Sequence, residues 1–378
     1  MTAAPRLDVD ALLANPATKI IVCCGSGGVG KTTTAAALGL RAAEQHGRRT
    51  VVLTIDPARR LAQSMGLTEL DNTPRQVKGI DTDATGGELF AMMLDMKRTF
   101  DEVVQAHTTP QRAAEIFANP FYQAMSSTFS GTQEYMAMEK LGQLRARNEW
   151  DLIVVDTPPS RSALDFLDAP ARLSRFLDGR MLRMLLAPAR SGGRSMFSLV
   201  TASFGLFSRA VQKILGAQLL TDLSGFVAAL DSMFGGFRQR ADETYRILQD
   251  PQTAFLIVAA PERDAIREAA YFAERLVAER MPLAGLVLNR THHTELAGIG
   301  ADDAETAAQA LDRAGDQRIT ADALRVHAGL VRQIHREVGV AATFTGQFPD
   351  VPAVAVAAQP ADVHDVDGLR TIAGALGG

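Results

Sequence analysis

The sequence predicts a doubly wound α/β fold, a mostly parallel sheet of seven or eight strands with a helical subdomain inserted in it. Two observations predict it: short continuous apolar runs that stop at turn residues, and helical patterns between them. The runs fall at 20–24, 51–55, 89–94, 152–155, 254–258, 283–288 and 351–356. Runs of this length fit strands buried on both faces, and the helical patterns at 35–46 and 262–280 fit the crossovers that a parallel sheet needs.

Three regions break the rhythm. Residues 97–149 and 168–250 contain no convincing strand, so they are assigned to the inserted helical subdomain. Residues 294–345, rich in Ala and charge, predict a further helical excursion. The core is then 19–96 with 150–167 and 251–378, preceded by an N-terminal extension, 1–18.

Composition narrows the function. A formal net charge of −4 argues against a general grip on nucleic acid. The only cysteines, Cys23 and Cys24, are adjacent and can form neither a disulfide framework nor a Cys-x-x-Cys zinc clamp. The N-terminus lacks a signal-peptide pattern, and no run reaches the ~18 apolar residues of a membrane span. A cytoplasmic chain is expected, peripheral at the membrane at most.

The most specific motif follows the first strand: Gly25-Ser26-Gly27-Gly28-Val29-Gly30-Lys31-Thr32, with Thr33 opening a helical run. It fits G-x-x-x-x-G-K-[ST] between a strand and a helix, the phosphate loop of a P-loop NTPase. Backbone N–H groups must wrap a polyphosphate, so intruding side chains are excluded, and the helix offers its positive end to the anion. Lys31 is expected to reach the phosphates and the Thr32 hydroxyl to ligate Mg2+, which makes ATP, ADP and Mg2+ the expected ligands.

Two carboxylates end strands on the edge where such sheets bind ligands. Asp156 closes the apolar run 152–155 in the manner of a Walker B strand and is expected to hold Mg2+. Asp56 ends 51–55, is counted with Thr32 and Asp156 among the expected metal residues, and is placed to orient or deprotonate the attacking water.

Together with Asp56-Pro57-Ala58, Asp156-Thr157-Pro158-Pro159-Ser160 and Leu164-Asp165-Phe166-Leu167, the loop resembles the arsenite-pump ATPase family. That family includes the ATPases that target tail-anchored membrane proteins, and the similarity is to its actinobacterial anion-transporting branch. The resemblance implies γ-phosphate sensing by Asp56 and by residues 156–160, and adenine contacts by Asn289 and by Pro360. It also implies a dimer, and a hydrophobic helix client or membrane protein as partner.

The departures are informative. Family members carry a second loop lysine where this chain has Ser26, and that lysine crosses the dimer interface to the partner's phosphates. Either a related, lysine-bearing ATPase completes a heterodimer, or Arg59, Arg60 or Arg161 supplies the charge in a homodimer. Arg161 also replaces the family's switch glycine. The family's arsenite thiols and zinc cysteines have no counterpart, so neither thiol-bound arsenite nor zinc is expected.

The segment 176–237 is rich in Met, Phe and Leu, which fits either a subdomain core or a groove for apolar helices. His292 and His293 are expected in a solvated turn. The leading expectation is an ATP-hydrolysing switch. The alternative is an ATP-binding regulatory subunit with little turnover of its own.

Overall fold

The computed structural model describes residues 5–56, 60–120, 122–123, 126, 132–158, 239–240, 242–296, 298–315 and 317–377. The chain divides into two compact units. One comprises Met1–Met93, Leu144–Leu164 and Ile247–Gly378, and the other Leu94–Gln143 and Asp165–Arg246.

The first unit is built on one eight-stranded sheet in the order β3-β4-β2-β5-β1-β6-β7-β8. Its strands are β1 (Ile20–Cys24), β2 (Arg49–Thr54), β3 (Arg75–Gln76), β4 (Glu88–Met93), β5 (Leu152–Asp156), β6 (Thr253–Ala259), β7 (Leu283–Thr291) and β8 (Ala353–Ala357). All pairings are parallel except β3 with β4. Every residue of β1, β5 and β6 is buried, which is why these strands read as unbroken apolar runs. The two-residue β3 is too short for any run to announce it.

Helices α1 (Val9–Ala14), α2 (Lys31–His46) and α3 (Arg60–Ser64) follow the order of the chain. Helix α2 buries Ala35, Ala36, Ala37, Leu38, Gly39 and Leu40 in succession, so small side chains let it lie close on the sheet. Gly47 ends it at φ 62, a left-handed position suited to glycine. The N-terminal segment joins this core: Leu7, Val9 and Leu13 are buried, and Leu7 N donates to Ala353 O at 3.0 Å beside β8. Buried Arg48 ties the same segment down, donating to Leu13 O at 3.0 Å and to Thr18 O at 2.5 Å.

Described helices of the second unit include α4 (Met96–His107) and α5 (Pro110–Ala118), capped by the side chains of Asp95 and Thr109. Tyr122 is fully buried, meets Phe100 edge-on at 5.6 Å, and donates its hydroxyl to Asp101 at 2.6 Å. Helix α6 (Thr132–Arg147) precedes β5 in the chain.

After β6 come α7 (Arg263–Ala278), α8 (Ala301–Ala314), α9 (Arg318–Gln347) and α10 (Val366–Gly377). The pair α8–α9 occupies the stretch read as a helical excursion. No helix among the described residues is long and apolar enough to cross a membrane. The Met-rich 176–237 segment lies outside the described residues, as do Pro57, Ala58, Arg59, Pro159, Ser160, Arg161 and 164–167.

Candidate functional site

The phosphate loop connects β1 to α2 as the motif predicts. Gly25, Gly28 and Gly30 have φ of 149°, 78° and 94°, backbone conformations that favour glycine. At Gly25 a β-carbon would run into the Val258 carbonyl of β6, and at Gly30 into the Asn289 side chain of β7. Neighbouring strands thus press on the loop from behind, and only glycine fits.

Lys31 is buried, and its ammonium donates to Ser26 O at 2.7 Å. Burial pulls its pKa down, while Asp156 and Asp56 act in the opposite direction. The side chain therefore already spans the loop whose backbone would cradle phosphates, with two carboxylates favouring its charged form.

Asp156 ends the fully buried β5. Its Oδ2 accepts from Thr54 Oγ1 at 2.8 Å. Its Oδ1 is buried and has no hydrogen-bond partner among the described residues. Burial pushes the carboxyl up to about 6, against the pull of Thr32, Thr54 and Lys31. An orphaned buried carboxylate oxygen next to the Thr32 hydroxyl fits a hard cation that takes oxygen ligands. Among the described residues no group of three acidic, His or Cys side chains could hold a metal alone.

A cavity of 460 Å³ opens at this edge, lined by Gly28, Gly30, Lys31, Thr32, Thr33 and Asp56 among others. Its wall also includes Arg60, Thr157, Arg290 and Asp362-Val363-His364. Thr157 is fixed by donating its hydroxyl to Cys23 O at 2.8 Å. The cavity thus brings together Lys31, Thr32, Thr33 and Asp56, while Val29 is buried behind the loop.

Asn289 and Pro360 sit differently. Asn289 is buried in β7, and its Nδ2 donates to Val29 O at 2.8 Å, so its amide braces the phosphate loop. Pro360 is exposed in the loop after β8, and residues 362–364 of that loop line the cavity. Arg290 escaped sequence reasoning. Its signal is local: φ is 63° at the register shift between Asn289 and Thr291, which turns its side chain out of the strand alternation. His292 and His293 lie in the loop just past β7, His293 exposed and His292 part-exposed, and the His292 Nδ1 meets Glu337 Oε1 at 2.6 Å, a partner on α9 that no local spacing reveals.

Cys23 and Cys24 are buried thiols whose pKa burial raises, that of Cys24 to about 12. They stay protonated at neutral pH and behave as small apolar side chains.

A glycine loop between a buried strand and a helix, with lysine, threonine and a strand-end aspartate converging on one cavity, defines a P-loop nucleoside triphosphatase. The sequence profile of the anion-transporting ATPase family matches residues 18–297. The chain belongs to that family, and it is an ATP hydrolase. It is 26% identical to the ATPase GET3 of Malassezia globosa over 265 residues, 69% of this chain and 68% of that one. It is 24% identical to the ATPase ASNA1 homolog 2 of Paramecium tetraurelia over 287 residues, 74% of this chain and 78% of that one. It is also 29% identical to Protein Rv2184c of Mycobacterium tuberculosis over 167 residues, 42% of this chain and 39% of that one.

Proposed function

We propose that the chain is a Mg2+-dependent ATPase that works as a dimeric nucleotide switch, targeting or energising a membrane-associated client. The observation that carries the nucleotide chemistry is the orphaned Asp156 Oδ1, buried where Thr32 and Lys31 converge. Bound Mg2+ would neutralise phosphate charge and be held by Asp156 and Thr32, with Asp56 close by. Loop amides and Lys31 bind the phosphates. The Asp56 carboxylate orients a water whose oxygen attacks the γ-phosphorus. The bond to the bridging oxygen breaks, and the water's proton passes to Asp56.

Dimerisation rests on the family resemblance. Ser26 favours a second reading, a heterodimer whose lysine-bearing partner supplies the missing charge, this chain alone being a binding subunit with little turnover. Arg60 on the cavity wall supports the homodimer instead, since a guanidinium there supplies a cation from within the chain.

Sedimentation of the purified chain with Mg·ATP and with Mg·ADP tests the switch, using Asp56→Asn to hold ATP uncleaved. A dimer with ATP that returns to monomer with ADP supports it. A monomer in both states, alone and mixed with a lysine-bearing paralogue, would refute it.

A further inference from the structure

On the unit that holds the sheet, a second concavity of 1270 Å³ opens between α7 and α9, where β6, β7 and β8 end. Its floor is apolar: Ile266 and Phe344 are buried there, and Ala270 and Val340 are half-buried. Its rim is cationic, with Arg263, Arg290 and Arg336 all exposed. Nearby ion pairs engage other groups, Arg267 with Asp264 and His292 with Glu337. Arg263, Arg290 and Arg336 have no ion pair among the described residues. Of the lining carboxylates, Glu337 is held by His292 and by Gln333, and Glu262 alone opposes the rim.

We propose that this groove docks an acidic amphipathic helix of a partner protein. Three observations choose that occupant. The volume exceeds the ~300–1,000 Å³ of ordinary small-molecule pockets, which is room for a polypeptide segment rather than a small ligand. The apolar floor takes the anchors that an amphipathic helix presents at i, i+3, i+4 and i+7. The arginine rim, on a chain of net charge −4, is complementary to carboxylates along the flanks of such a helix. The contacts of Glu337 with His292, at 2.8 Å to its backbone N and 2.6 Å to Nδ1, tie α9 to the end of β7, so the groove is braced by part-buried polar contacts within the fold.

The test uses a fluorescent peptide of about 14 residues with Leu at anchor spacing and Glu elsewhere, and a twin with Lys in place of Glu. Anisotropy is read against the full chain and against an Arg263→Glu/Arg336→Glu variant, with Val340→Glu as a second probe of the floor. Arg290 also lines the nucleotide cavity and is left intact, whereas Arg263 and Arg336 do not line it, so Mg·ATP binding stays unchanged and reports that the variants fold. The Glu peptide is expected to bind, the Lys twin not to bind, and the double variant to bind about tenfold or more weakly. Equal binding of the twin, no binding of the Glu peptide, or unchanged affinity in both variants would each overturn the proposal. Retention on phosphatidylglycerol vesicles over phosphatidylcholine vesicles, without peptide binding, would also overturn it and reassign the groove to a lipid surface.

Discussion

The Asn289 side-chain amide donates to Val29 O at 2.8 Å and fills the space beside Gly30 where a β-carbon would stand. One residue at the end of β7 thereby fixes the last turn of the phosphate loop. Replacing Asn289 by Ala removes a bond to a buried carbonyl, worth about 1 kcal/mol, and is expected to weaken ATP binding about fivefold by calorimetry. Gly30→Ala meets both the overlap and a φ of 94°, and is expected to lower affinity further than Asn289→Ala.

Asp156→Asn keeps shape while removing the charge proposed to hold Mg2+. ATP binding by this variant should lose most of its dependence on Mg2+, and turnover should fall by about 100-fold or more. A titration of nucleotide affinity against Mg2+ checks this. An unchanged Mg2+ dependence would move the metal away from β5.

Ser26→Lys installs the second loop lysine that the family resemblance implies. Turnover of the purified chain alone is expected to rise at least about tenfold, read as steady-state phosphate release. Under the homodimer proposal the companion Arg60→Ala should then cost less in the lysine variant than in the parent, because the new lysine would replace the cation assigned to Arg60.

Acid should loosen the N-terminal anchor. Asp10 bonds Arg41 Nε and Nη2, each at 2.7 Å, and His46 at 2.9 Å. The Arg41 guanidinium, assisted by His46, holds the Asp10 carboxyl at about 2, below its ordinary 3.8. A depressed carboxylate stabilises the fold above its unfolded pKa and loses that contribution as pH falls from about 4 toward 2. Because the pair is partly exposed, the contribution stays under about 1 kcal/mol. Asp10→Asn should lower the melting temperature at pH 7 and converge with the parent near pH 2.

The sheet was legible because its inner strands are buried on both faces, so β1, β5 and β6 appear as bare apolar runs. The phosphate loop was legible because its glycines answer to backbone geometry that no other residue satisfies. Three features were not. The short β3 carries no pattern. The pairing of His292 with Glu337 spans a hairpin of helices. The reach of Asn289 to Val29 depends on which strands become neighbours, and on β7 lying two places from β1.

The most direct measurement is steady-state Mg·ATP hydrolysis by the purified chain, beside Asp56→Asn and Lys31→Ala. ATP turnover that Asp56→Asn abolishes while ATP still binds, and that Lys31→Ala loses together with binding, is the predicted result. Turnover unaffected by Asp56→Asn would contradict the assignment of the water-orienting carboxylate. Tight ATP binding with no turnover by the chain, alone or with a lysine-bearing partner, would contradict the switch itself.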